Sequence, residues 1–128
     1  MNAQEVFNKV AEHLLTQKAP AIDPDSDCCV YRAPDGKMCA VGCLISDEEY
    51  KPEFEQDGIG RIINKGFLPN LKEHESLLLE LQRVHDSSNG SFWKDDLIEV
   101  SKLFNLDMSV CNKFNYQENS NETNKKST

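Results

Sequence analysis

Residues 28–50, CCVYRAPDGKMCAVGCLISDEEY, constrain the fold more than any other stretch, because they combine four of the five cysteines with the clearest turn signal. Residues 29–32 are rich in β-branched and aromatic side chains and favour a short strand. The Ala-Pro-Asp-Gly sequence at 33–36 is typical of a tight turn, since proline presets φ and glycine accepts positive φ. Residues 37–41 are then suited to return as the partner strand. The stretch therefore predicts a β-hairpin.

The hairpin prediction leads into a second turn. At Gly42 we expect either that a side chain does not fit or that φ is positive. Ser46 and Glu49 have the spacing of a capping box, in which each side chain bonds to the other residue's backbone N–H. We therefore expect a helical turn from Asp47 to Tyr50, which Pro52 ends.

Apolar periodicity predicts four helices in the rest of the chain. They cover residues 3–17, 59–64, 71–86 and 92–104, with N-caps at Asn2, Asn70 and Ser91. Residues 106–110 alternate in polarity and favour a short extended edge. Together these elements predict the α+β class: a helix-rich single domain with a small β-hairpin packed on about three to four helices.

The chain length and the polar C-terminus predict the domain organisation. A chain of 128 residues is the size of one domain. We assign residues 1–112 to a single globular domain and residues 113–128 to a polar tail. From Gln117 onward the tail has no apolar residue, so we expect it to be disordered.

The charge excludes some partners and favours others. The chain has 14 basic and 22 acidic residues, for a net charge of -8. This charge disfavours direct nucleic-acid binding and anionic membranes, and it favours a protein partner with a basic surface. The N-terminus lacks the basic start and apolar core of a signal peptide, and no apolar run reaches membrane-spanning length. With an odd cysteine count as well, we expect a cytoplasmic protein with reduced thiols.

The cysteines raise the question of a metal site. The residues considered as zinc ligands are Cys28, Cys29, Cys39, Cys43, His74 and His85. The paired Cys-x2-Cys turns typical of zinc sites are missing, and the adjacent Cys28 and Cys29 would point to opposite faces of a strand. We therefore predict no metal and no cofactor, with the cysteines acting as small buried hydrophobic residues.

A thiol-dependent enzyme is the alternative to a binding protein. It would use Cys39 or Cys43 as the nucleophile and His85 as the base, which requires a thiolate close to an oriented imidazole. Asp86 lies about 100° around the helix from His85, so we do not expect it to orient that ring. No glycine-rich nucleophile elbow surrounds either cysteine.

A candidate binding surface combines an arginine with an acidic segment. Arg32, inside an apolar run, either contacts an anionic group of a partner or forms an internal ion pair with Asp47 or Glu49. The residues assigned to this surface are Tyr31, Arg32, Asp47, Glu48, Glu49 and Tyr50.

The central stretch also resembles a group of small uncharacterised proteins of bacteria and their phages. The resemblance is carried by the pattern C-x-Y-R-x-x-x-G-x-x-C-A-x-G-x-L-I-x-D-x-x-Y and by a later Leu-Gln…His-Asp. The matching residues are Cys29, Tyr31, Arg32, Gly36, Cys39, Ala40, Gly42, Leu44, Ile45, Asp47, Tyr50, Leu81, Gln82, His85 and Asp86. The likeness runs from Val6 to Leu106 and implies a phage or prophage gene, without implying a mechanism. We therefore predict a small acidic protein that binds a host macromolecule stoichiometrically, as an inhibitor in host takeover or anti-defence.

Overall fold

The computed structural model describes residues 1–87 and 90–114 and contains four α-helices. They are α1 (Ala3–Gln17), α2 (Ile59–Asn64), α3 (Glu75–Ser87) and α4 (Trp93–Leu103). Short 3-10 helices lie at Gly42–Leu44, Pro52–Gln56, Pro69–His74 and Ser109–Lys113. No helix in the described part of the chain is long and apolar enough to cross a membrane.

Helix α1 forms where its sequence signals place it. The Asn2 side chain accepts a hydrogen bond from the Glu5 N–H, and the Glu5 carboxylate accepts one from the Asn2 N–H, each at 2.8 Å. This reciprocal cap satisfies two backbone donors that a helix start leaves without partners. The buried face consists of Val6, Phe7, Val10, Ala11, Leu14 and Leu15. The predicted bounds and cap of this helix are confirmed.

The core lies where α1, α3 and α4 pack against one another, with α2 against α3. Trp93 at the start of α4 is fully buried and stacks on the His85 ring, with 5.6 Å between the ring centroids. One cluster of buried side chains extends from Val6 to Cys111. Phe114, which the sequence assigned to the tail, packs against this cluster. The rest of the predicted tail, residues 115–128, lies outside the described residues.

The predicted β-hairpin and the α+β class are wrong. Within residues 1–87 and 90–114 the chain forms no strand, and residues 28–50 contribute only isolated bridges at Cys29 and between Arg32 and Met38. The predicted turn does form: the Ala33 N–H donates to the Lys37 carbonyl at 2.9 Å, and Gly36 has φ of 95°. One further bond follows, from the Cys39 N–H to the Tyr31 carbonyl at 3.3 Å, so the turn is present but the flanking residues do not form strands.

Side chains from other segments bond to the backbone on either side of this turn. The N–H groups of Tyr31 and Arg32 donate to the Glu55 carboxylate. On the returning side, the Met38 N–H donates to Gln17 Oε1 at 2.9 Å, and the Met38 carbonyl contacts the side chains of Gln17 and His13. In this register only the Tyr31 N–H among these donors would have paired with the returning segment, and Glu55 takes it instead, whereas the N–H groups of Arg32 and Met38 face away from the partner segment.

Gly42 settles one of the alternatives that the sequence left open. Its φ is not positive, so backbone conformation does not require glycine. A Cβ at this position would overlap the carbonyl oxygen of Tyr31 and lie 3.0 Å from its carbonyl carbon. The close approach of the two backbones is the reason that a side chain does not fit.

Several predicted boundaries are also wrong. Helix α3 begins at Glu75, because residues 69–74 form a 3-10 helix that contains Asn70, the predicted cap. Helix α4 has Phe92 rather than Ser91 at its N-cap. The predicted extended edge at 106–110 does not form: residues 106–108 belong to no helix or strand, and the 3-10 helix Ser109–Lys113 follows them, where Asp107 Oδ1 accepts from the Ser109 N–H at 2.6 Å.

Candidate functional site

Arg32 lies at the centre of the predicted binding surface. Its guanidinium donates to Asp47 Oδ1 at 2.9 Å and to the Ile45 carbonyl at 2.8 Å, and it lies 4.4 Å from the centre of the Tyr50 ring. The ion pair is asymmetric, because the Arg32 side chain is 24% exposed and the Asp47 side chain is 96% exposed. The internal pair is therefore formed with Asp47, one of the two carboxylates that the sequence offered. The Arg32 Nε is buried without a hydrogen-bond partner among the described residues.

Glu55 joins three parts of this surface and was missed by the sequence analysis. One carboxylate oxygen accepts from the Tyr31 N–H at 2.9 Å. The other accepts from the Arg32 N–H at 3.2 Å and from the Tyr50 hydroxyl at 2.6 Å. Burial, and then the bond to Glu55, raises the pKa of Tyr50 to about 12. Tyr31 itself is buried, and its hydroxyl donates to the Asp57 carbonyl at 2.7 Å.

The acidic turn, defined here as residues 46–50, presents three exposed carboxylates. The predicted capping box forms, because the Glu49 N–H donates to Ser46 Oγ at 3.1 Å and the Ser46 N–H donates to Glu49 Oε1 at 3.2 Å. The segment is one hydrogen-bonded turn rather than a helix, closed by the Tyr50 N–H on the Ser46 carbonyl. Asp47, Glu48 and Glu49 point to solvent from this fixed turn.

The thiols of the alternative hypothesis are protonated at neutral pH. Cys39 is fully buried, and its sulfur accepts from the Gly42 N–H at 3.2 Å. Cys43 is partly buried and donates to the Ala40 carbonyl at 3.1 Å. Burial raises the pKa of both thiols to about 12. A nucleophilic cysteine needs a lowered pKa, so neither thiol is activated.

His85 is fixed in one tautomer by its neighbours. The buried Ala21 N–H donates to Nε2 at 2.9 Å, which requires that Nε2 carry no proton. The proton is therefore on Nδ1, which donates to Asp86 Oδ1 at 2.8 Å. The expectation that Asp86 cannot orient the His85 ring is wrong, because the flexible Asp86 side chain turns back to it. With both ring nitrogens engaged, His85 is not free to act as a base for Cys39 or Cys43.

Asp86 lines a cleft to which Tyr31 and Glu55 also contribute. Besides the hydrogen bond from His85 Nδ1, it accepts one from Gln82 Nε2 at 3.0 Å. Burial alone would raise the pKa of Asp86, but the hydrogen bonds from His85, Cys29 and Gln82 hold it below its ordinary value. The cleft has a volume of about 510 Å³, and Cys29, Glu55, Asp57 and Asp86 are among its lining residues.

Cys29, His85 and Asp86 bring three potential metal-ligand atoms within 4.8 Å of one another. A metal-bound histidine offers a lone pair on one ring nitrogen and usually donates its other N–H. Here Nδ1 carries the proton and the donor Ala21 N–H faces Nε2, so the ring has the opposite arrangement. Without a metal the Cys29 thiol is protonated, because burial, and then Asp86, raises its pKa to about 11, so a metal would also have to displace that proton. This cluster therefore does not fit a zinc site as it stands.

The remaining residues considered as zinc ligands lie outside this cluster. Cys28 is exposed, and its thiol donates to the Ser26 carbonyl. His74 is buried, and its Nε2 contacts the Met1 carbonyl at 2.8 Å. Neither Cys28 nor His74 therefore adds a metal ligand to the cluster of Cys29, His85 and Asp86.

The two parts of the sequence resemblance meet in space. Gln82 Oε1 accepts from the Val41 N–H at 3.2 Å, which joins α3 to the central stretch. No known protein family matches the chain, and neither a curated protein nor a solved structure is similar to it. The resemblance to small phage and bacterial proteins therefore stays a prediction.

Proposed function

We propose that the protein is a non-enzymatic binding protein that engages a protein with a basic surface in a fixed stoichiometry. The observation that carries this proposal is the acidic turn, whose carboxylates are exposed while Arg32 bonds to Asp47 and to the Ile45 carbonyl just before the turn, and the Tyr50 hydroxyl bonds to Glu55. A preorganised surface loses less conformational freedom on binding. Exposed charges of one sign also speed the encounter with a partner of opposite sign.

The phage resemblance gives this proposal its biological setting. The gene belongs to a phage or prophage, the partner is a host protein in the host cytoplasm, and binding inhibits a host function or a defence system. The net charge of -8 supports a basic protein partner over a nucleic-acid backbone. The thiol-dependent alternative has less support, because Cys39 and Cys43 are protonated and His85 has both nitrogens engaged.

The proposal is tested with the affinity-tagged full chain expressed in bacterial cells and purified at low ionic strength. The test variant combines Asp47→Asn, Glu48→Gln and Glu49→Gln, which remove three charges while glutamine can still close the capping box. We expect the wild type to retain one protein at a constant molar ratio, measured by native mass spectrometry. The triple variant is expected to retain at least tenfold less.

The matched control removes three charges from other exposed positions, as Glu12→Gln, Asp25→Asn and Glu99→Gln. We expect this control to retain the partner as the wild type does. Equal retention by the acidic-turn variant would refute the proposal. Equal loss by the control would show that net charge, rather than the acidic turn, determines binding.

A further inference from the structure

Residues 21–30 form a loop that lies against the end of α3 and takes no part in the acidic turn. Within this loop, the Val30 N–H donates to the Ala21 carbonyl at 3.0 Å, and the Asp23 N–H donates to the Cys28 carbonyl at 2.9 Å. All residues of the loop are described, and Ala21 is the one among them that is buried. The loop therefore has hydrogen bonds of its own but little packing that would hold it on the core.

Two hydrogen bonds attach the 21–30 loop to α3. The Ala21 N–H donates to His85 Nε2 at 2.9 Å, and the Cys29 thiol donates to the Asp86 carboxylate. The first of these bonds is enclosed, because Ala21 and His85 are both fully buried and the His85 ring stacks on Trp93. A thiol is a weak donor, so the bond to His85 is the stronger attachment.

The bond from Ala21 exists only while His85 Nε2 carries no proton. A proton on Nε2 would place two N–H donors opposite each other, across the 2.9 Å that separates the two nitrogens. Buried donors without an acceptor are unfavourable, and because both residues are fully buried, water does not reach them while the loop is in place. The doubly protonated ring therefore requires the loop to move away.

The groups that face His85 act on its charge in opposite directions. Asp86, on the same helix, is ionised and favours a charged ring. His13, on α1, disfavours a second charge nearby, and burial lowers its own pKa, so it stays neutral to a lower pH than a free imidazole. The Cys29 thiol of the loop is protonated, and α4 contributes the uncharged Trp93 ring.

The central stretch contributes two titratable side chains that interact with Asp86. They are Cys39 and Tyr31, and burial raises the pKa of both, so both are neutral where an imidazole titrates. The charged residues Glu55, Asp57 and Arg83 line the same cleft as Asp86, whereas His85 is not among its lining residues. His85 is thus the group near the loop whose charge changes between pH 7 and pH 5.

We infer that His85 is an acid-sensitive switch for the 21–30 loop. When Nε2 gains a proton, the Ala21 N–H loses its acceptor and the loop detaches from α3. Cys29 and Val30 line the cleft that Asp86 also lines, so detachment of the loop opens one side of that cleft. The inference is independent of the proposed function, because the acidic turn is not involved.

The switch is measured on the full chain by hydrogen exchange of backbone amides at pH 7 and at pH 5. Exchange is followed by NMR and expressed as protection factors, which removes the intrinsic pH dependence of amide exchange. A free imidazole gains its second proton at about pH 6.5, so uptake of one proton on opening should lower the protection of the Ala21 amide roughly 25-fold from pH 7 to pH 5. The Val10 amide, inside α1, should stay within about twofold.

His85→Gln is the test variant, because glutamine does not titrate and its side-chain oxygen can accept from the Ala21 N–H. Its Ala21 protection should change less than about threefold over the same range. His13→Gln is the matched control, since it removes a neighbouring imidazole and keeps an amide that can donate to the Met38 carbonyl, which His13 Nε2 contacts at 2.8 Å. This control should show the same fall as the wild type.

Three outcomes would overturn the inference. The first is an unchanged protection of the Ala21 amide in the wild type, a measurement that does not depend on any variant. The second is an equal fall at Val10, which would show that the whole domain opens rather than the 21–30 loop. The third is a full fall that persists in His85→Gln or disappears in His13→Gln, because either result would assign the proton to another group.

Discussion

Replacing Gly42 by alanine tests the close contact that shapes the central stretch. The added Cβ would overlap the Tyr31 carbonyl oxygen, which also accepts a hydrogen bond from the Cys39 N–H at 3.3 Å. Both neighbours are backbone, so no side chain can rotate away. Relieving such an overlap in a packed site costs about 1–3 kcal/mol, and weakening the hydrogen bond adds about 1 kcal/mol. A loss of about 3 kcal/mol lowers the melting temperature by roughly 10 °C in a chain of this size.

Gly58→Ala is the matched control for this prediction. Gly58 is exposed, has φ of -76°, and has no atom within 4 Å of the position that a Cβ would occupy. Its effect should stay within about 0.5 kcal/mol. The two melting temperatures are compared by circular dichroism or calorimetry. If Gly42→Ala melts within about 2 °C of the wild type, or if Gly58→Ala is equally destabilised, the contact argument is wrong.

Three further predictions concern the thiols, metal and pH. Near neutral pH, iodoacetamide should label the exposed Cys28 well before Cys39 or Cys43, as followed by peptide mass spectrometry; early labelling of Cys39 or Cys43 would support the enzyme hypothesis. The reduced protein should keep its melting temperature in a chelator, since the His85 tautomer does not suit a metal; unfolding there would contradict the assigned proton position. The folded pKa of Asp86 is lowered, so its stabilising contribution is present above about pH 4 and is lost as the pH falls through the folded pKa. The difference in melting temperature between wild type and Asp86→Asn should therefore shrink on acidification. A difference that widens would show that folding raises the pKa of Asp86 instead of lowering it.

The parts of the fold that the sequence predicted correctly are those with local determinants. Helix α1 combines an apolar face with a capping box between Asn2 and Glu5, so all its sequence signals lie in the helix or in the residue before it. The predicted α2 (Ile59–Asn64) is also confirmed, with Gly66 at φ of 94° just beyond it. At the end of α4, Asn105 has a left-handed φ of 57°, a conformation that asparagine tolerates.

The hairpin prediction failed because its determinants are distant in sequence. The turn at Gly36 is encoded locally and forms. Strand pairing of the flanking residues also depends on whether side chains from other segments bond to their backbone. Glu55 accepts from the Tyr31 N–H and Gln82 from the Val41 N–H, two groups that a longer ladder would have paired. Nothing in the pattern of residues 29–41 identifies these two side chains as competitors.

In the candidate site, too, contacts between residues close in sequence were predicted and contacts between distant residues were not. The Arg32–Asp47 pair was predicted as one of two alternatives, because the carboxylates follow soon after the arginine and are few. Glu55 was missed because it is one of several acidic residues in a segment without periodicity. The signal that could have drawn attention to it is the buried Phe54 beside it, which fixes the 3-10 helix Pro52–Gln56 against the core. The role of His85 could not be predicted, since its partner Ala21 is 64 residues away in the sequence.

The central stretch donates backbone hydrogen bonds to the side chains of Gln17, Glu55 and Gln82, and these bonds affect the order in which segments fold. They span 21, 24 and 41 residues respectively. Contacts of this kind require loop closure before they form, and they contribute little to an early folding nucleus. An isolated β-hairpin can form within microseconds. Residues 28–50 have too few backbone hydrogen bonds of their own to form one independently. We therefore expect this stretch to become ordered only after α1 and α3 have docked, so that it is among the last segments to form and the first to open.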